Sequence, residues 1–173
     1  MARARQSNPL VGATLPNFTI RPITPADLDA VAPMAGDLVR AHHGWDPQRF
    51  MLPDDVDNGY HWWLGKELEN RKALVVAAQG ARGALVGYAY ARVEPLDWNA
   101  LLEKHAALHD IFVKPAARRH GVARLLLDAV FAWARSKKVP RVVLHTAVNN
   151  VSAQALFTGQ GFRPTMLEMT REL

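Results

Sequence analysis

The sequence predicts a single α/β domain of the α+β kind, and three observations carry that prediction. Strand-like and helix-like segments alternate along nearly the whole chain. Apolar residues make up 49% of the sequence against 21% charged, the balance of a globular core with a solvated surface. A strand ending at Pro115 runs through a basic glycine turn into a strongly amphipathic helix. At 173 residues the chain is long enough for one sizeable core and short for two. Residues 1–16 read as a flexible N-terminal tail and residues 17–173 as one domain.

Phe18-Thr19-Ile20-Arg21 alternates like a first strand. Thr24-Pro25-Ala26-Asp27 then offers a cap, a proline at the first helical position and an early acid. The helix it opens buries Leu28, Val31, Ala35 and Leu38. A second helix falls between residues 53 and 70, with Tyr60, Trp62, Trp63 and Leu64. Residues 73–78 and 84–93 are apolar runs joined by Gly80-Ala81-Arg82-Gly83, a hairpin signature. After a loop with Pro95, Asp97 and Trp98 comes a buried strand, residues 107–113. The following helix carries Leu125, Leu126, Ala129, Val130 and Trp133 and stops at Pro140. Residues 141–148 read as a strand, residues 150–160 as a helix capped by Gly161, and Leu167 with Met169 as a final strand.

No apolar run approaches the roughly 20 residues that span a bilayer. The expected location is therefore the cytoplasm, with no membrane partner. There is no cysteine, which removes disulfides, thiolate ligands and a cysteine nucleophile together. The net charge of +5 is concentrated on Arg3 and Arg5 and on Lys114, Arg118, Arg119 and Arg124. That crowding suits a local anion site better than a nucleic-acid face, since no long basic stripe with interleaved aromatics is present.

The loop Arg118-Arg119-His120-Gly121-Val122-Ala123 opens a helix whose first amides have no internal partner. A helix start carries about half a positive charge, and Gly121 and Ala123 let an anion approach the backbone closely. Phosphate oxygens are the natural ligand, each charge-assisted bond contributing on the order of 1.5–3 kcal/mol. Neither a Gly-x-Gly-x-x-Gly nor a Gly-Lys-Ser/Thr pattern occurs, so dinucleotide and Walker-type sites are excluded.

Arg118-x-x-Gly121-x-Ala123 resembles the cofactor loop of the GNAT superfamily of N-acetyltransferases. The stretch Asn150, Ala153, Phe157, Gly161, Phe162 resembles the same family's closing segment, in the right order and separation. The resemblance extends from Phe18 to the C-terminus. It implies a mixed, mostly antiparallel sheet of six or seven strands, flanked by about four helices. Two central parallel strands splay apart in this family, here residues 107–113 and 141–148. It implies acetyl-CoA as acyl donor, phosphates on Arg118, Arg119, His120, Gly121, Val122, Ala123 and Arg124, and a pantetheine arm along Ile111, Phe112 and Val113. Asn150, Ala153 and Phe157 would touch that arm, and Asn150 also suits a helix cap. The family often dimerises, so a homodimer is a possible assembly.

Members of this family move the acyl group straight from thioester to amine. A lysine-like amine has a pKa near 10.4, so its neutral form at pH 7 lies about 4–5 kcal/mol uphill and a base is needed. His109 occupies the place where related acetyltransferases carry a glutamate or histidine, and strand alternation sets it on one face with Ile111 and Val113. Asp110 is the second candidate, facing away unless a bulge intervenes; Asp110-Ile111-Phe112 resembles the polyamine-acetyltransferase branch. The family's frequent tyrosine is Phe157 here, which cannot donate a proton, so no general acid is assigned.

The resemblance walls the acceptor groove with the first two helices and the loop before the buried strand. His42, His43, Trp45, Asp46, Trp62, Trp63, Glu94, Asp97 and Trp98 lie in those segments, with Trp45, Asp46, Glu94 and Trp98 the candidates for contact, aromatics and carboxylates suited to a cationic amine. His42, His43 and Asp46 make no metal site, because adjacent helical histidines diverge and no third ligand is spaced for one. The sequence thus points to transfer from acetyl-CoA to a small-molecule primary amine (polyamine, amino acid or aminoglycoside-like). The alternatives are acetylation of a protein N-terminus or lysine, and a non-catalytic acyl-CoA-binding regulatory domain.

Overall fold

The computed structural model describes residues 14–15 and 17–173. The expected tail therefore lies outside the described residues except at Thr14–Leu15, a two-residue strand. In chain order the elements are β1 (Thr14–Leu15), β2 (Phe18–Pro22), α1 (Leu28–Trp45), α2 (Val56–Glu67), β3 (Ala73–Gly80), β4 (Leu85–Glu94), β5 (His105–Val113), α3 (Val122–Ser136), β6 (Val142–Leu144) and α4 (Val151–Gly159). The strands form one sheet in sequential order, β1 to β6. Every pair is antiparallel except β5 with β6.

Alternation divides β3 and β4 between two cores. Leu74, Val76, Ala78, Ala89, Ala91 and Val93 pack beneath α3, whose Leu126, Val130 and Trp133 are buried against them. Val75, Ala77, Tyr88 and Tyr90 face Val31 and Met34 of α1 and Leu64 of α2. Leu126 is fully buried, so truncation to alanine would cost about 2–5 kcal/mol.

The helix ends follow the sequence. Asp27 accepts from the Thr24 amide at 2.8 Å and pairs with Arg21, so a short 3₁₀ turn leads into α1. At the end of α4 the Gly161 amide bonds Thr158 and the Phe162 amide bonds Phe157, with Gly161 at φ +85°. This is a Schellman cap, and Phe162 closes it by packing on Phe157 with ring centroids 5.7 Å apart.

Two strand expectations are corrected. Residues 163–173 form no strand; Leu167 and Met169 are 73% and 84% exposed, and Glu168 pairs with Arg49 instead. Two apolar residues bury too little to hold an edge strand. The parallel strand is only Val142–Leu144, because its partner parts from it after Leu108. The splayed parallel pair is present, and among the described residues the sheet has six strands with β1 counted. Among the described residues, no helix is long and apolar enough to cross a membrane.

Candidate active site

The site is built around an irregularity in β5. Ala91 pairs with Leu108 and the adjacent Tyr90 pairs with Asp110, which leaves His109 as an extra, unpaired residue. This is a β-bulge, and it resets the alternation. Ala106 and Leu108 face α3 before the bulge, and Ile111 and Val113 face α3 after it. Both His109 and Asp110 therefore open onto the opposite face, where they line one cleft. The expectation that His109 shares a face with Ile111 and Val113 is thus corrected, since strict alternation does not survive an inserted residue. The pairing of β5 with β6 ends at Leu108, so the sheet begins to part where the bulge begins.

The cleft holds about 480 Å³ and lies between the start of α2 and the β4–β5 ribbon. Pro53, Asp55, Val56, Gly59, Tyr60 and Trp63 form one wall; Tyr90, Arg92, Glu94, His109 and Asp110 form the other. Among the described residues no three His, Cys, Asp or Glu side chains are grouped as metal ligands.

Asp110 is buried at the floor, and burial pushes its carboxyl up to about 6. The neighbouring Tyr88 hydroxyl opposes that rise without reaching hydrogen-bond geometry, and it has no partner among the described residues. Burial raises the phenols of Tyr60 and Tyr90 above their ordinary range, which keeps both neutral. Higher on the wall, His109 Nε2 lies 3.1 Å from Glu94 Oε1, and the imidazole stacks on the Tyr90 ring at 5.1 Å. Tyr90 in turn donates its hydroxyl to the buried Glu67 at 2.8 Å. Arg92 Nε lies 3.7 Å from Glu94 Oε1 and makes no hydrogen bond among the described residues.

β5 leads through the turn Pro115–Ala117 to the basic loop. Arg119 and Gly121 both take left-handed backbone, φ +65° and +80°, before Val122 begins α3. A Cβ on Gly121 would stand 3.0 Å from Leu15 Cδ1. Arg118 donates from Nε to the Val113 carbonyl at 2.9 Å and sits over the Phe112 ring at 5.8 Å. His120 lies beside Phe18 with ring centroids 6.4 Å apart. Val122 is buried, whereas Ala123 and Arg124 continue the first turn of α3. Asn150 caps α4 by accepting from the Ala153 amide at 3.2 Å, and Phe157 is buried.

Residues 37–162 match the model of the acetyltransferase (GNAT) family. The chain belongs to the GNAT family. With it comes the class of acetyl-CoA-dependent N-acetyltransferases. Among curated GNAT relatives, an aminoglycoside N(6')-acetyltransferase type 1 from Stenotrophomonas maltophilia is 30% identical over 148 residues, covering 85% of this chain and 87% of that protein. Human N-acetyltransferase 8 is 37% identical over 71 residues, 41% of this chain and only 31% of its own length. The aminoglycoside acetyltransferase AAC(6')-Iy, solved with a bisubstrate analogue of CoA and acetylneamine, shares the fold. Its TM-score is 0.70 at 23% identity, covering 90% of this chain and 97% of that one.

Of the site residues named from the sequence, this GNAT chain brings His109, Asp110, Glu94 and Trp63 into one cleft. Trp45, Asp46 and Trp98 do not line it. Trp45 packs on His42 at the end of α1, Asp46 accepts from the Gln48 and Arg49 amides, and Trp98 is 76% exposed. Asp55, Tyr60, Tyr90 and Arg92 were missed as cleft residues. The period of β4 holds a usable signal for two of them: Tyr88, Tyr90, Arg92 and Glu94 alternate with Ala89, Ala91 and Val93.

Proposed function

We propose that this acetyltransferase moves the acetyl group of acetyl-CoA directly to a primary amine of a small cationic molecule, of the aminoglycoside, polyamine or amino-acid kind. The lining of the cleft carries this reading. Asp55, Glu94 and Asp110 supply carboxylates among the rings of Tyr60, Trp63 and Tyr90. Carboxylates pair with an ammonium group and aromatic faces attract it, and the three acidic side chains outnumber the single guanidinium of Arg92 in the lining. The name of the Stenotrophomonas relative makes aminoglycosides the first acceptors to try.

His109 is the proton acceptor in this reading and Asp110 the alternative, both opening onto the cleft. As the amine nitrogen bonds to the thioester carbonyl carbon, the base takes its proton and the carbon–sulfur bond breaks. The thiolate leaves and is protonated from solvent, because Phe157 has no proton to give.

The donor's phosphates are assigned to the loop from Arg118 to Ala123 and to Arg124. The left-handed Gly121 leaves the backbone bare there, and among the described residues the first amides of α3 have no backbone partner. The pantetheine arm is assigned to the β5 edge at Ile111, Phe112 and Val113, beyond the last pairing with β6, with Asn150, Ala153 and Phe157 alongside.

Thiol release from acetyl-CoA, followed with aminoglycosides, polyamines, amino acids and peptides in turn, tests the reading. Turnover on cationic small amines is expected. Turnover on peptides alone, or none with coenzyme A still bound, would overturn it.

A further inference from the structure

We propose that Glu94 is a positioning residue that fixes the tautomer and ring plane of His109, so that Nδ1 is the atom that receives the acceptor's proton. This rests on the reading of His109 as base. His109 Nε2 is 3.1 Å from Glu94 Oε1. An ionised carboxylate can only accept, so the contact requires the proton on Nε2 and leaves the lone pair on Nδ1. Among the described residues Nδ1 has no hydrogen-bond partner, and the residue lines the cleft.

Two further contacts hold the pair. The Tyr90 ring lies under the imidazole at 5.1 Å with 22° between planes, and its hydroxyl is anchored on buried Glu67. Arg92 Nε, 3.7 Å from the same Glu94 oxygen, keeps a positive charge beside the carboxylate. Glu94 Oε2 has no protein partner among the described residues, so the same side chain can still meet an ammonium group. The bulge is what permits this geometry, because it turns His109 to the face of β4 that carries Tyr90, Arg92 and Glu94.

A double-substitution cycle on the enzyme with its best amine tests the proposal. His109→Ala should lower kcat about a hundredfold and Glu94→Ala at least about tenfold. In kcat at saturating amine the double variant should be no slower than His109→Ala alone, any loss of ammonium contact at Glu94 appearing in KM. Glu94→Gln, which keeps an acceptor oxygen, should recover part of the loss. Independent of turnover, ¹⁵N imidazole spectra should show the Nε2–H form of neutral His109 in the parent and a mixture in Glu94→Ala. Losses that multiply, or unchanged spectra, would overturn the role of Glu94 and leave His109 as base. A His109→Ala enzyme as fast as the parent would overturn both.

Discussion

His109 and Asp110 are neighbours in the chain and yet open onto the same cleft, because the bulge in β5 inserts His109 between two consecutive pairs with β4. An exposed imidazole and a buried carboxyl thus stand side by side in very different surroundings. Burial is what separates their chemistry.

That burial makes Asp110 a burden on the fold at neutral pH. Its carboxyl rises from an ordinary 3.8 to about 6, so the folded state holds a proton that the unfolded chain releases. The contribution of this one group is fully present below 3.8 and is lost as pH rises through 6, by up to about 3 kcal/mol. Asp110→Asn should remove this slope. Denaturant unfolding at about pH 4 and pH 7.5 should show the variant gaining on the parent at the higher pH. Equal slopes would mean that Asp110 is not desolvated.

Asp27 has the opposite sign. The Arg21 guanidinium, aided by the Thr24 amide and hydroxyl, holds its carboxyl well below the usual range. Its contribution is present above the unfolded pKa and is lost as pH falls. Asp27→Asn should cost about 1 kcal/mol at pH 7 and much less in acid. A cost that is the same at both values would point to packing rather than charge.

Gly121 carries two constraints, a left-handed backbone and a Leu15 methyl 3.0 Å from any added Cβ. Gly121→Val should weaken coenzyme A binding at least about tenfold by calorimetry, alongside a loss of about 1–2 kcal/mol in stability. Unchanged affinity in a folded variant would contradict the phosphate assignment.

Lys138 stands just past the end of α3 at φ +53°, where its amide bonds Arg135 and the next amide reaches Ala134. A lysine there bears the strain that glycine would not. Lys138→Gly should gain about 0.5–1 kcal/mol in a urea melt. A loss instead would show that the side chain makes up for its backbone.

Much of this was legible in the sequence. Thr24, Pro25 and Asp27 marked the entry to α1, and Gly161 with Phe162 marked the exit from α4, because capping chemistry is local. The turn from Pro115 to Gly121 was legible for the same reason. The bulge was not, since one extra residue in a pairing depends on the partner strand and leaves no local mark. Asp55 and Tyr60 were missed because only tertiary packing of α2 brings them opposite β4. Leu167 and Met169 misled by alternating without an edge to join.

His109, turned into the cleft by the bulge, is proposed to activate the acceptor amine. The rate of thiol release from acetyl-CoA at saturating amine, measured from about pH 6 to 9 for the parent and for His109→Ala, tests it most directly. The variant should be depressed near neutrality and recover in part as rising pH supplies neutral amine without a base. A variant profile that superimposes on the parent's would contradict the claim.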